Sequence, residues 1–350
     1  MKTQQHHLVL NPDETQPPTR NVFAAHHPSS LPEPKEVKLS PAGSGGENAS
    51  IYFVGTATTI FEWEGIRLMT DPNFLHAGDH VHLGPGVQGT RVTNPAIDLS
   101  DLPRIDAVLL SHLHADHFDQ LVEDSLRRSL PIITTPHAKE HLTNKGETES
   151  FSQVFDLDHY DSMFVDIQTK TDSHMPAFKV TGMPGKHVPP GPAGMLGAVN
   201  DFLQAVPPTN GWMLELGYKR VATDPESFTC GYRVYISGDT LMVDELKEIP
   251  ERYKGQNIDF MLIHLGGTTI PSPKMPLLMV TMDAKQGIEL VQLINPDVTI
   301  PIHYDDYDVF LSPLEDFKKE VEKAGLSNKV VYLDRKDQYR FAVKGDQTSS

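Results

Sequence analysis

Ser111-His112-Leu113-His114-Ala115-Asp116-His117 follows directly on the apolar run Ala107-Val108-Leu109-Leu110. The run is short and uninterrupted, as in a buried strand, and the polar string begins where that strand would end. Imidazoles and a carboxylate packed this closely are metal-ligand chemistry. One short loop cannot aim four such groups at a single tetrahedral ion without strain. The spacing makes sense if His112 and His114 serve one ion while Asp116 and His117 serve a second beside it. Two adjacent metals are a device for activating water against an electrophile.

The chain holds 17 His in 350 residues, enough to supply isolated pairs by chance but not readily a full His-x-His-x-Asp-His string. The competing reading, a solvated His-rich turn, loses ground when further ligands turn up at the ends of other apolar runs. Val180-Thr181-Gly182-Met183 leads to Pro184-Gly185-Lys186-His187. Tyr232-Arg233-Val234-Tyr235-Ile236 leads to Ser237-Gly238-Asp239-Thr240, and Val298-Thr299-Ile300-Pro301-Ile302 leads to His303-Tyr304.

In order and chemistry, His112/His114/Asp116/His117, His187, Asp239 and His303 resemble the metallo-β-lactamase superfamily, over roughly residues 50 to 343. Gly55-Thr56-Ala57-Thr58-Thr59-Ile60 and Gly65-Ile66-Arg67-Leu68-Met69-Thr70-Asp71-Pro72 fit its opening. Within the superfamily, Asp106-Ala107-Val108-Leu109-Leu110-Ser111-His112 and Pro301-Ile302-His303-Tyr304 are similar to one branch. That branch includes L-ascorbate-6-phosphate lactonase and N-acyl-phosphatidylethanolamine phospholipase D. The resemblance implies an α/β (α+β) fold, the four-layer αβ/βα sandwich. It also implies roles. His112, His114 and His187 hold a first metal; Asp116, His117 and His303 hold a second; Asp239 bridges them. Asp71 matches the acidic residue at an early strand end that orients a ligating imidazole from behind.

The ligand types favour two divalent zinc ions, with manganese or iron fitting also. The expected enzyme is a dinuclear metal-dependent hydrolase in which a bridging hydroxide attacks a small ester, lactone or amide. The alternative is phosphodiester hydrolysis on a nucleotide or a phospholipid head group. Asp116 and Asp239 are the candidate catalytic carboxylates, Asp116 orienting the water as well as binding metal. His264, Lys186 and Tyr304 are candidate substrate contacts. His264 ends an apolar run and competes with a role as a satisfied core imidazole. Lys186 and Tyr304 adjoin ligands, but neighbours on an extended chain alternate sides, which argues for both pointing away. His76, His80 and His82 carry a weaker suggestion of an accessory site. Asp305 and Asp306 read as solvated or structural.

Composition sets outer bounds. With 350 residues and 38% apolar content, one large core is affordable in a single catalytic domain. The formal charge of −17 argues against a nucleic-acid substrate, because no Lys/Arg-rich run offers a local basic groove. A small-molecule substrate, even one with a phosphate, remains compatible. Cys230 is the only cysteine, so no intrachain disulfide can form, and a reducing cytoplasm is the easier setting. No apolar run reaches transmembrane length, and the N-terminus lacks the apolar core of a secretory signal.

Residues 1–48 form a polar, Pro/Ser/Gly-rich tail, either disordered or draped over the domain. Its His6-His7 and His26-His27 pairs read as solvated. The catalytic domain is expected over 49–345. Strands are expected at 50–54, Thr58–Trp63, Ile66–Thr70, 164–169, 178–182, 212–217, 232–236 and Phe260–His264. Helices are expected at 119–128, 283–294 and 314–324, the last closed by Gly325. The segments 184–210 and 266–281 hold apolar residues, among them Met195, Leu196, Phe202, Leu203, Met275, Leu277 and Leu278. These suit walls or lids over the metals, and equally packing or a subunit contact in a homo-oligomer.

Overall fold

Successive side chains of a strand face opposite sides, and this chain buries both sides of its central strands. Ile51 and Phe53 of strand Ala49–Gly55 turn into a core shared with Leu214 and Leu216 of strand Asn210–Lys219. Their neighbours Tyr52 and Val54 turn the other way and pack with Val122, Leu126 and Leu142 around helices Gln120–Ser125 and Pro136–Thr143. On the facing sheet, Met213 and Tyr235 turn outward onto Ile288, Val291 and Phe317 of helices Ala284–Ile294 and Leu314–Lys323. The order of layers is therefore helix, sheet, sheet, helix, the αβ/βα sandwich expected from the sequence.

The structure, a computed structural model, describes residues 7–20, 27–40, 45–83, 88–170, 174–188, 206–272 and 275–345. One sheet has seven strands in the order His7–Leu10, Ser162–Ile167, Met175–Pro184, Asn210–Lys219, Phe228–Ile236, Phe260–His264 and Val298–Ile302. Its last three strands run parallel. The other has eight, in the order Val154–Asp156, Ile132–Thr134, Ala107–Leu109, Ile66–Thr70, Thr58–Trp63, Ala49–Gly55, Gln338–Phe341 and Val37–Leu39. Here Ile66–Thr70, Ala107–Leu109, Ile132–Thr134 and Val154–Asp156 are parallel neighbours. Parallel strands share a carboxyl end, so the loops leaving them gather at one edge of the sandwich, where open α/β sheets place their ligands.

Helix Ala284–Ile294 shows why local sequence suffices for its segment. Asp283 caps it by accepting the Gln286 N–H at 2.9 Å, and Asn295 ends it in a left-handed conformation with φ 49°. Ile288, Leu290, Val291 and Ile294 are buried against the sheet, each contributing ~1.5–3 kcal/mol by leaving water. Leu314–Lys323 ends before Gly325, at φ +69°, as its composition indicates. The segment expected as helix 119–128 is helical only over Gln120–Ser125, because Leu126 turns extended. Helix Pro136–Thr143 was not anticipated, although Thr135 caps it and Pro136 opens it.

The N-terminal segment supplies an outermost strand to each sheet. His7–Leu10 lies parallel to Ser162–Ile167, and Val37–Leu39 lies parallel to Gln338–Phe341. In the first, Leu8 and Leu10 are buried while Val9 faces out, and His7 Nε2 meets Asp166 Oδ2 at 2.6 Å. His27 contacts the Leu102 carbonyl at 3.0 Å. His6, His26, Met195, Leu196, Phe202 and Leu203 lie outside the described residues. Among the described residues, no helix is long and apolar enough to cross a membrane.

Candidate metal centre

Each candidate ligand sits just past the carboxyl end of a strand. The His112–His117 loop follows Ala107–Leu109, His187 follows Met175–Pro184, Asp239 follows Phe228–Ile236 and His303 follows Val298–Ile302. The structure brings all seven together in two groups. Ligand atoms of His112, His114 and His187 lie within 4.8 Å of one another, as do those of Asp116, His117, Asp239 and His303. In the first group His112 Nε2 is 2.9 Å from His187 Nε2 and 3.0 Å from His114 Nδ1. In the second, His303 Nε2 is 3.1 Å from His117 Nε2 and 3.3 Å from Asp116 Oδ2. Asp239 Oδ2 lies between the groups, 3.1 Å from His117 Nε2, 3.6 Å from His303 Nε2 and 4.0 Å from His187 Nε2.

The far side of each ring decides where its proton sits. His187 Nδ1 faces the Val280 carbonyl at 2.9 Å, and His303 Nδ1 faces the Leu265 carbonyl at 2.9 Å. A carbonyl only accepts, so both Nδ1 atoms must donate. His117 Nδ1 meets Asp71 Oδ2 at 3.0 Å and must donate likewise. Ser111 Oγ gives its proton to Asp71 Oδ2 at 2.9 Å, which leaves it to accept from His112 Nδ1 at 2.9 Å. In their neutral rings the Nε2 atoms of His112, His117, His187 and His303 are then lone pairs, and they face one another across the two groups at about hydrogen-bond distance, with His114 turning Nδ1 toward His112. Such a site suits a cation, and the outward N–H contacts are the ones that fix ligating imidazoles.

Orphaned atoms point the same way. Asp116 Oδ1, Asp239 Oδ1 and His114 Nε2 are buried with no hydrogen-bond partner among the described residues. Leaving charged oxygens so would be costly unless something cationic met them. The chain's own electrostatics divide the two groups. Burial holds His112 well below the usual imidazole pKa and brings His114 to about 3, keeping both neutral. Burial also opposes charge on His117 and His303, but the Asp239 and Asp116 carboxylates outweigh it and raise both above the usual value. The second group is thus a negative pocket that holds positive charge, and the first is a set of neutral nitrogen donors. The residues present fit divalent metal with nitrogen and oxygen ligands.

Asp71 stands behind the ligands, with Oδ1 accepting the Ser111 N–H at 2.7 Å. Its backbone is left-handed, φ 34°, in the turn after Ile66–Thr70. Ser111 was not singled out from sequence, yet its hydroxyl links Asp71 to His112; its place between strand and first histidine was the available signal.

Each of the three candidate substrate contacts has protein partners of its own. Lys186 Nζ is paired with Glu245. The Tyr304 ring packs in the outer helical core, and its hydroxyl donates to the Leu333 carbonyl at 3.4 Å. His264 is buried behind the centre, stacked on His117 with ring centroids 5.9 Å apart, its Nε2 3.8 Å from Asp71 Oδ2. Its Nε2 has no hydrogen-bond partner among the described residues, and its ligand atom lies within 4.8 Å of those of Asp71 and His117. His76 pairs with Asp98 at 2.8 Å, and His80 contacts Thr90. Neither joins a ligand group among the described residues.

Comparison with known proteins agrees with this geometry. A family model described as a beta-lactamase superfamily domain matches residues 67–304. A UPF0173 metal-dependent hydrolase of Nanoarchaeum equitans is 24% identical over 241 residues, covering 67% of this chain and 86% of that protein. Its counterpart in Salinibacter ruber is 23% identical over 288 residues, covering 80% and 95%. Among solved structures, an isothiocyanate hydrolase from Delia radicum gut bacteria matches with TM-score 0.62 at 15% identity, covering 84% of this chain and 99% of that one. A possible metal-dependent hydrolase from Veillonella parvula gives TM-score 0.60 at 16% identity with the same coverage. At these identities the two solved structures establish a shared fold.

Proposed function

Because this chain belongs to the beta-lactamase superfamily of metal-dependent hydrolases, we propose that it holds two divalent ions and hydrolyses a small ester, lactone or amide. His112, His114 and His187 would hold one ion, and Asp116, His117 and His303 the other, with Asp239 Oδ2 between them. Bound there, the ions supply Lewis acidity and a water whose pKa falls to about 7 when zinc is the metal. The one observation that carries this reading is the set of inward lone pairs and orphaned carboxylate oxygens in two adjoining groups.

The protein's part follows from its atoms. Asp71 and Ser111 keep His117 and His112 in the tautomer that presents Nε2 inward. The Val280 and Leu265 carbonyls do the same for His187 and His303. Asp116 Oδ1, buried and without a hydrogen-bond partner among the described residues, would orient the nucleophilic water and accept its proton. Zinc suits the ligand set, with manganese or iron as alternatives to be separated by analysis. The net charge of −17 disfavours polyanionic substrates. A reducing cytoplasm suits Cys230, partly buried, whose thiol desolvation pushes up to about 12.

The test combines metal analysis with a substrate panel. Protein reconstituted with zinc or manganese is assayed on p-nitrophenyl esters, lactones, anilides and bis-p-nitrophenyl phosphate. Two ions per chain with ester, lactone or anilide turnover is expected. One ion per chain at saturation overturns the dinuclear reading, and preferential phosphodiester turnover overturns the choice of bond.

A further inference from the structure

Beside the centre lies a polar cluster that no ligand role explains: Asn73, Arg91, Asp306 and Tyr307, all buried, with the partly exposed Arg335 at its edge. Asp306 is fully buried, ion-paired with Arg91 Nη2 at 2.9 Å and bonded by Arg335 Nη2 at 2.8 Å. Its carboxylate also accepts the Thr56 N–H at 2.8 Å and the Thr93 hydroxyl at 2.5 Å. Asn73 carries the connection onward. Its Nδ2 donates to the Ala115 carbonyl at 2.8 Å, while its Oδ1 accepts from Arg91 Nη1 and from the Tyr307 hydroxyl at 3.1 Å. Ala115 lies between ligands His114 and Asp116, and Asp306 and Tyr307 follow ligand His303 closely in sequence. The cluster therefore ties the loop leaving one sheet to the loop leaving the other.

The backbone it grips is held away from its resting conformation. His303 has φ 63° and Thr56 has φ 51°, and the His303 N–H bonds the Thr56 carbonyl at 3.0 Å. Non-glycine residues in this region persist only where their surroundings over-determine them. Gly55 leaves the room: a Cβ there would sit 3.2 Å from Arg335 Nε and 3.3 Å from Arg91 Nη2. Buried charge networks stabilise folds poorly compared with apolar packing, so stability alone is a weak reason for this one.

We propose that this cluster is a clamp that sets the distance between Asp116 and His303, and so governs the metal held by Asp116, His117 and His303. Asn73, Arg91, Asp306 and Tyr307 are then positioning residues. The inference rests on the two-metal reading above. Of the other metal's ligands, His112 and His187 lie outside the clamp's direct reach, being anchored through Ser111 Oγ and the Val280 carbonyl, and only His114 adjoins the gripped Ala115.

The experiment titrates metal-free protein with zinc against a chromophoric chelator. His303→Ala and His187→Ala identify which binding step belongs to which group. Asn73→Ala, which frees the Ala115 carbonyl, is expected to weaken the His303 step by ~10–100-fold, the range for residues that orient ligands from behind. The His187 step should move no more than about threefold, well under that range. Tyr307→Phe removes one donor to Asn73 and keeps the ring, so a smaller weakening of the same step is expected. Should Asn73→Ala fail to fold, by near-UV circular dichroism, Tyr307→Phe decides alone. Equal weakening of both steps, or no change in either, overturns the clamp. A single step in the parent protein overturns the two-metal reading instead, and the clamp with it.

Discussion

Asp71→Asn changes one oxygen to an amide nitrogen and should disable His117 without touching it. Asp71 accepts from the Ser111 N–H on Oδ1, and from Ser111 Oγ and His117 Nδ1 on Oδ2. Asparagine has only one acceptor oxygen, so it must set its NH2 against one side. If the oxygen keeps the Ser111 N–H at 2.7 Å, the NH2 faces His117 Nδ1 and makes that atom an acceptor. The ring proton then moves to Nε2, the atom aimed at the second group. The opposite flip sets the NH2 against the Ser111 N–H and strains the first residue of the ligand loop. The first arrangement misdirects His117 and the second disturbs the start of the ligand loop, while backbone strain hardly changes, since asparagine tolerates the left-handed turn as aspartate does. Losing such a partner typically costs ~10–100-fold in metal affinity or activity, or ~1.4–2.8 kcal/mol of binding. The assay is zinc titration with ester or lactone turnover beside a Ser111→Ala control, which removes only the hydroxyl. Wild-type zinc affinity and turnover in Asp71→Asn would refute the tautomer argument.

Other expectations follow from the same geometry. Asp239→Asn keeps the shape but removes the carboxylate between the groups, and should cost at least ~100-fold in metal affinity together with turnover; full occupancy by elemental analysis would remove the bridging role. Acidification should release the second group's metal first. Its His117 and His303 carry raised pKa values and take up protons that metal must displace, whereas His112 and His114 stay neutral to much lower pH. Metal content after dialysis at stepped pH reads this directly, and release in the reverse order would contradict it. Tyr304→Phe should lose no more than ~0.5–1.5 kcal/mol of stability, and Lys186→Ala, an exposed pair with Glu245, less than ~1 kcal/mol. Both should keep their kcat and KM; a large rise in KM would return either residue to the substrate site.

The layers and the ligand set were legible in the sequence for the same reason. A strand buried on both sides reads as an apolar run, and the strands leading to His117 and His303 are of that kind, as are the last four residues of the strand leading to Asp239. Metal chemistry then admits few residue types, so the ends of those runs identify themselves. Legibility failed where burial is one-sided or brief. Leu8 and Leu10 are the only inward residues of strand His7–Leu10, too few to stand out in a polar segment. Strand Val37–Leu39 buries no side chain fully, and its place is set by the Gln338–Phe341 edge it pairs with. Helix Pro136–Thr143 buries only Ala138 and Leu142, so its cap was a clearer signal than its periodicity.

The clamp marks a different limit. Ligands are restricted by type, since only a few side chains offer a lone pair or charge to a metal. The residues that place them are restricted by position. Asn73 and Tyr307 meet across 234 residues of chain, and nothing in either neighbourhood forecasts the other. Asp306 looked like one of two ordinary loop acids beside Asp305. In the fold they part: Asp306 is fully buried, with Arg91 and Arg335 holding its carboxyl below the usual range against the pull of burial. Asp305 remains exposed, ion-paired with Arg335. One residue of separation sends one carboxylate into the clamp and leaves its neighbour at the surface. The turn after His303 decides which, and the His303 N–H bonds the carbonyl of Thr56, whose conformation is rare for threonine. Sequence reading should therefore find what such a centre is made of sooner than what holds its parts at their working distance.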